Sequence, residues 1–170
     1  AMRMYNGKAM INSVNGKQSS MNEVFPLVQK YGGVVVCLCL DENGIPETAK
    51  GRIAIAEKII KTAESYGIDK KDLVVDALVM TISTNKDNAK ETLKAVEYIR
   101  HELGVGTVLG VSNISFGLPK REAINTAFFT LALKAGLSAG IINPLSESMM
   151  NAYYSYNALE GFDDNCTQYI

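Results

Sequence analysis

The chain has 170 residues, of which 47% are hydrophobic and 21% charged, and this length and composition suit one globular domain with a sizeable core. Its 17 basic and 18 acidic side chains leave a formal charge of -1, which indicates no surface for nucleic acid or an anionic membrane. No apolar run approaches the roughly 20 residues of a membrane span, and the first residues lack the pattern of a signal peptide. We therefore expect a cytoplasmic protein whose partner is a small molecule or another protein.

The few cysteines and the single histidine restrict the possible chemistry. Cys37 and Cys39 alternate on one apolar strand, where residues on the same face cannot easily form a disulfide, so buried free thiols are expected. His101 lies in a charged helical stretch, which favours a surface position over a catalytic or metal-binding one. No metal site, Walker motif or Rossmann motif is indicated. Any chemistry must come from amides, carboxylates and a bound cofactor.

Continuous apolar runs rich in β-branched residues alternate with longer amphipathic stretches along the chain. This alternation is typical of parallel strands covered by helices. Strands are predicted near 9–13, 33–40, 73–80, 107–115 and 139–143. The sequence therefore predicts about five βα units in one α/β domain that spans residues 1–170.

Short polar side chains fall within or just after the carboxyl-terminal part of the apolar runs, where such groups are normally excluded. They are Asn12, Asp41, Asp76, Asn113 and Asn143. In a parallel α/β barrel, or at the switch point of an open sheet, the carboxyl ends of the strands form the rim that binds ligands. Each of these residues alone can also start a turn or cap a helix. Together they predict a binding site on one rim.

One segment carries a specific family resemblance. GVSNISFGLPKR, residues 110–121, resembles the segment after the seventh strand of methyltetrahydrofolate-binding methyltransferases, which include the folate domain of cobalamin-dependent methionine synthase and the corrinoid-protein methyltransferases. Other segments resemble the family in the same order: YNGKAMINSVNG (5–16), LDENGIPETA (40–49), YGIDKKDLVVDALVM (66–80), GIINPLSE (140–147) and CTQYI (166–170). The resemblance implies a partial TIM-type (β/α)8 barrel made of about the last five βα units, without the N-terminal part of the barrel.

The same resemblance implies an activity. The family binds methyltetrahydrofolate as its substrate and transfers the N5 methyl group to a corrinoid cobalt, in homocysteine methylation or in acetogen-type one-carbon metabolism. The cobalamin or corrinoid is carried by a partner protein or domain. We therefore expect an enzyme of the methyltransferase class that meets a folate and a corrinoid partner.

Three residues match family positions that contact the pterin. Asp76 matches the carboxylate that pairs with the 2-amino and N3 hydrogens of the pterin ring, an edge that suits a bidentate acceptor. Asn12 matches a pterin-contacting asparagine. Asn113 matches the asparagine near N5, which makes it the residue closest to a catalytic role.

Three further residues are candidates for substrate binding. Ser112 and Ser115 flank Asn113 and can hold water, although serines at such positions more often stabilise turns. Asn143 follows the last predicted strand and belongs to the same rim.

Two alternatives to this function remain open. A dihydropteroate synthase-like enzyme shares the barrel and the pterin pocket, but it should carry a basic anchoring motif on its late strands, where this chain reads SNISFGLP. The other alternative is a catalytically incompetent fragment that serves as a binding or assembly module. About five parallel strands leave two unpaired edges, so we expect a homo-oligomer formed through them.

Overall fold

A sheet of five parallel strands runs through residues 2–170, the part of the chain that the computed structural model describes. The strands lie in chain order: β1 (Met10–Asn15), β2 (Val34–Leu38), β3 (Leu73–Asp76), β4 (Gly106–Gly110) and β5 (Ala139–Ile141). Each strand pairs with the next in parallel. All five predicted strands are present, and the α/β class is confirmed.

Each strand is followed by a helix, and the first four helices return the chain to the start of the next strand. The helices are α1 (Gln18–Tyr31), α2 (Ala49–Ser65), α3 (Asn88–His101), α4 (Arg121–Lys134) and α5 (Glu147–Leu159). Short 3-10 turns add Met2–Met4, Lys70–Asp72, Val111–Ser115 and Asp164–Cys166. Among the helices of residues 2–170, none is long and apolar enough to cross a membrane.

One face of the sheet lies under the helices and forms the core. Val14, Val35, Cys37, Val75 and Leu109 on this face have no exposed surface. The free thiol predicted at Cys37 is confirmed to be buried, and burial raises its pKa to about 12. Burial of this face accounts for every second residue of the long β-branched runs, because successive side chains of a strand point to opposite sides of the sheet.

The opposite face is called the open face here. Partner residues in neighbouring parallel strands point to the same side, so Asn12, Val36 and Val74 share this face. At its two ends Met10 is 61% exposed and Ile141 62% exposed. In a complete (β/α)8 barrel this face would line the interior.

Four strands end earlier than the sequence predicts: β2 and β5 by two residues each, and β3 and β4 by more. β3 ends at Asp76 rather than near residue 80, because Leu78 adopts a left-handed conformation with φ of 61° and turns the chain out of the sheet. β4 ends at Gly110, and residues 111–115 form a 3-10 turn that is closed by the N–H of Phe116 on the carbonyl oxygen of Asn113. Both turns bring polar side chains to the carboxyl end of the sheet.

Within the described residues, β1 and β5 each pair with a single neighbour, so these five strands form an open sheet and not a closed cylinder. A closed barrel of this type needs eight strands. The partial barrel predicted from the sequence is therefore the architecture observed.

The uncovered edges and open face lead us to expect self-association. Ile141→Lys should shift the protein toward the monomer, because it places a charge on exposed apolar surface at the β5 edge. Sedimentation velocity across a concentration series measures this shift. Leu131→Lys is the matched control, since Leu131 is 56% exposed on α4, outside the sheet. A stable wild-type monomer at all concentrations would contradict the prediction.

Candidate functional site

Asp76 ends β3 on the open face of the sheet. The strand register places it level with Leu38 of β2 and Val108 of β4, and through Leu38 level with Asn15 at the end of β1. Its backbone carbonyl accepts the N–H of Cys39 at 3.0 Å. The carboxyl group is thus held at the carboxyl end of the sheet, where ligands bind in barrels of this kind.

The carboxyl group of Asp76 is half-buried, and it forms no ion pair with a cationic side chain of residues 2–170. Burial raises its pKa from the ordinary value of 3.8 to about 6, although the hydrogen bond from Leu78 opposes the change. The N–H of Leu78 donates to Oδ1 at 2.8 Å. Oδ2 has no hydrogen-bond partner among residues 2–170, so this carboxyl group retains the capacity to accept donors from a ligand.

Asn12 lies on the same face as Asp76 but is not at the end of its strand. It is exposed, and it pairs with Val36, two residues before the level of Asp76. The register of β1 shifts between Asn12 and Val14, so a bulge at Ser13 interrupts the alternation of side chains. The structure brings Asn12 and Asp76 onto one face, with Asn12 deeper along the sheet.

The bulge also adds a residue that the sequence analysis missed. Strict alternation places Asn12 and Asn15 on opposite faces, whereas the extra residue at Ser13 puts both on the open face. Asn15 Oδ1 accepts the N–H of Lys17 at 3.0 Å, and its backbone N–H donates to Ser20. Its amide group therefore stands at the same level as Asp76.

Asn113 lies in the 3-10 turn after β4, and its exposed side chain folds back over Gly110. A Cβ atom at Gly110 would lie 3.2 Å from Asn113 Nδ2, so the absence of a side chain there makes room for the amide. Gly110 shares the open face with Val108, two residues earlier in the strand. The amide of Asn113 consequently covers the carboxyl end of β4, the strand next to Asp76.

Ser115 is not available to a substrate, which corrects the expectation that it contacts one. It is fully buried, and its hydroxyl donates to Asn125 Oδ1 at 2.7 Å and accepts from Arg121 Nε at 3.0 Å. Arg121 Nη2 also donates to the carbonyl oxygen of Ser112 at 2.7 Å. Ser115 therefore fixes the start of α4 against the turn that carries Asn113.

Ser112 and Asn143 line a cleft of about 430 Å³ between the 3-10 turn and the loop after β5. The side chain of Asn143 also starts a turn, because its Oδ1 accepts the N–H of Leu145 at 3.1 Å. Asp41 does the same after β2, where Oδ1 accepts the N–H of Asn43 at 2.8 Å. Asp41 thus serves to start a turn, as its sequence position also allowed, whereas Ser112 and Asn143 border the open cleft.

Arg52 is a second residue that the sequence analysis missed. It lies in α2 and has no exposed surface, although arginine is rarely buried. A signal was present in the sequence, because Arg52 precedes the buried residues Ile55 and Ala56 by three and four positions and so belongs to the apolar stripe of the helix. Its contacts reach both loops that flank Asp76.

Comparisons with known proteins identify relatives over most of the chain. A family model described as pterin binding enzyme matches residues 1–143. The chain is 29% identical over 165 residues to a methylcorrinoid:tetrahydrofolate methyltransferase of Eubacterium limosum, across 94% of this chain and 60% of that protein. It is 34% identical over 158 residues to a methionine synthase of Mycobacterium tuberculosis, across 85% of this chain and 13% of that protein.

A solved structure shows the same fold. The dihydropteroate synthase from Xanthomonas albilineans, in complex with 7,8-dihydropteroate, superposes with a TM-score of 0.65 and 20% identity. The match covers 89% of this chain and 59% of that chain. The chain thus spans less than two thirds of the length of each of these proteins.

The raised pKa of Asp76 predicts a stability effect with a defined sign. The folded protein holds this proton more tightly than the unfolded chain, so stability falls as pH rises from 3.8 to about 6. Asp76→Asn removes the buried charge and keeps an acceptor for Leu78, so it should raise the free energy of unfolding by about 1–3 kcal/mol above that range. At pH values below about 4 the gain should vanish.

Urea unfolding at about pH 7.5 and about pH 4 measures this difference. Asp69→Asn is the matched control, because Asp69 is exposed and pairs with Lys71, so no gain is expected there. An Asp76→Asn variant with the same change in stability at both pH values would contradict the assignment.

Proposed function

This chain belongs to the pterin-binding enzyme family, and from that premise we propose that it binds methyltetrahydrofolate and takes part in transfer of the N5 methyl group to a corrinoid cobalt. The observation that carries the proposal is the half-buried, cation-free carboxyl group of Asp76 at the carboxyl end of the open face. The amide of Asn113 lies over the next strand. One relative is named a methylcorrinoid:tetrahydrofolate methyltransferase, and another is named a methionine synthase.

Recognition of the pterin ring requires a carboxylate of this kind. The ring presents 2-amino and N3 hydrogens side by side, and two carboxylate oxygens can accept them together. Oδ2 of Asp76 has no partner in the described part of the chain, and Oδ1 has a lone pair beyond the one used by Leu78. Asn12, on the same face, supplies an amide that can both donate to and accept from the ring.

Transfer of the methyl group requires that N5 be stabilised as a leaving group. A neutral tertiary-amine nitrogen is a poor leaving group, so N5 must gain a proton or a hydrogen bond that strengthens as the methyl group leaves. The amide of Asn113 can donate such a hydrogen bond, directly or through water, but it cannot act as an acid. Its contribution is therefore electrostatic stabilisation by a donor placed in advance.

The methyl acceptor is supplied by a partner. We propose a corrinoid-carrying protein or domain, since a relative is named as a methylcorrinoid:tetrahydrofolate methyltransferase. Helices cover the other face of the sheet, so a corrinoid partner would reach a bound folate at the open face or at its carboxyl end. The exposed side chain of Asn113 would lie at this approach.

A second candidate function is binding without turnover. The exposed apolar ends of the open face, Met10 and Ile141, favour an assembly role for this chain. The dihydropteroate synthase alternative is supported more weakly, because the solved structure at 20% identity shows the fold alone. Folate binding with no methyl transfer to cob(I)alamin would favour the binding module.

Isothermal titration with 5-methyltetrahydrofolate tests the binding proposal. Asp76→Asn should weaken binding by at least about tenfold, since the variant replaces one acceptor oxygen by a donor that faces the donors of the pterin. Asp69→Asn, at the other end of β3, should bind like the wild type. A wild-type chain that binds no folate, or an Asp76→Asn variant with unchanged affinity, would overturn the proposal.

Asn113→Ala should lower the methyl-transfer rate to cob(I)alamin by about 10²–10³-fold and weaken folate binding far less, because its hydrogen bond matters most in the transition state. Single-turnover kinetics measures the rate, and titration calorimetry the affinity. Asn151→Ala, on an exposed position of α5, is the amide control. Equal losses of rate and affinity would make Asn113 an ordinary binding contact.

A further inference from the structure

Arg52 joins three separate segments of the protein through its guanidinium group. Nε donates to the carbonyl oxygen of Pro46 in the loop after β2 at 2.9 Å. Nη1 donates to the carbonyl oxygen of Leu78 after β3 at 3.0 Å and to Oγ1 of Thr92 in α3 at 2.7 Å. One side chain therefore ties together the two loops that flank Asp76 and the helix behind them.

Burial of this side chain is unfavourable for stability. Arg52 forms no ion pair with a carboxylate in the described residues, all of its partners are neutral, and Nη2 has no partner. Burial lowers its pKa from the usual value, although the guanidinium stays charged. An apolar side chain would fill the same space without the cost of an incompletely paired buried charge. Packing alone does not explain an arginine at this position.

The contact with Leu78 links Arg52 to Asp76. Leu78 has a positive φ of 61°, a conformation that is unfavourable for a residue with a side chain. Its carbonyl oxygen accepts from Arg52, and its N–H donates to Asp76 Oδ1 at 2.8 Å. The peptide groups on both sides of Leu78 are thus fixed, one by the guanidinium and the other by the carboxylate.

We propose that Arg52 is a positioning residue: by holding the Leu78 turn in its left-handed conformation, it fixes the orientation of the Asp76 carboxylate toward the ligand. The identity of that ligand as a pterin rests on the proposed function. The positioning itself does not, because it concerns contacts within this chain. Arg52 acts through Leu78 and does not touch the substrate.

The charged and titratable groups near Arg52 and Asp76 have pKa values that are far enough apart for the titration of Asp76 to be measured separately. Cys39, directly after β2, lies near Asp76 and Arg52, and burial raises the pKa of its thiol far above the usual range, so it stays neutral near pH 6. Glu91 of α3 faces Arg52, and its hydrogen bond from the N–H of Ala49 at 2.7 Å lowers its pKa, so it stays charged. Asp76 is the group in this network that titrates near pH 6.

The test is an NMR pH titration of the Leu78 amide. A backbone N–H that donates to a carboxylate changes its chemical shift as the carboxylate ionises, so the wild-type Leu78 signal should titrate with a midpoint near the pKa of about 6. Arg52→Met removes the anchor on the Leu78 carbonyl, and the amplitude of that titration should fall by at least about half. Arg52→Lys should lose amplitude as well, because one ammonium group cannot replace the planar fork.

Ile59→Val is the matched control, since Ile59 is fully buried in the same helix and its apolar side chain, whose substitution costs stability, forms no hydrogen bond with either loop. It should keep the wild-type titration of Leu78. If Arg52→Met does not fold, Arg52→Lys decides the question. A full-amplitude Leu78 titration in a folded Arg52 variant would reduce Arg52 to a structural residue, as would a wild-type Leu78 amide that does not titrate.

Calorimetry with 5-methyltetrahydrofolate on the same samples separates this inference from the proposed function. Loss of the Leu78 titration together with about tenfold weaker binding in Arg52→Met supports both, because a carboxylate that is no longer preorganised binds less tightly. Loss of the titration in a chain whose wild type binds no folate supports the positioning role and overturns the pterin proposal. An unchanged Leu78 titration in the Arg52 variants, together with folate binding by the wild type, overturns the positioning role and supports the pterin proposal.

Discussion

Parallel pairing of the strands in a fixed register is the constraint on which the rest of the structure depends. Because partner residues in neighbouring strands point to the same side, the register decides that Asp76, Asn12 and Gly110 share one face. The helices cover the other face, so the carboxylate of Asp76 and the amide of Asn12 lie on the face that the helices leave open. A shift of one residue in any strand would exchange these faces.

Three features of the candidate site lower the stability of the fold, each for a different physical reason. Asp76 lies half-buried without a cation, Leu78 has an unfavourable backbone conformation, and Arg52 is a buried charge with an unsatisfied Nη2. Each feature lowers stability, and all three are connected by the two hydrogen bonds of Leu78. Such a concentration of unfavourable groups in one place is typical of a binding site and not of a structural core.

Much of this arrangement could be predicted from the sequence, because it follows from local pattern. The continuous runs around Val35 and Val75 specify buried parallel strands, and Asp76 stands out as a carboxylate at the end of such a run. The resemblance of residues 110–121 to a methyltransferase segment predicts a role for Asn113, and the family model over residues 1–143 agrees with the pterin-binding family that this resemblance implies.

The remaining features depend on tertiary context that no local pattern contains. The bulge at Ser13 reverses the face of Asn15, and strict alternation cannot anticipate it. The sequence indicates Ser115 as a site residue, but in the structure it is buried against Asn125. Arg52 lies within an apolar stripe, but its role depends on loops at Pro46 and Leu78 that are distant in sequence. Long-range hydrogen bonds are the part that the sequence did not reveal.

The most direct test of the central claim is a crystal structure of the chain with bound 5-methyltetrahydrofolate. We expect the 2-amino and N3 nitrogens of the pterin to lie at hydrogen-bond distance, about 2.7–3.2 Å, from the carboxylate oxygens of Asp76. We also expect N5 to lie on the side of the ring nearest the Asn113 amide. A pterin ring held in the cleft lined by Ser112 and Asn143, with Asp76 free of contact, would contradict the account.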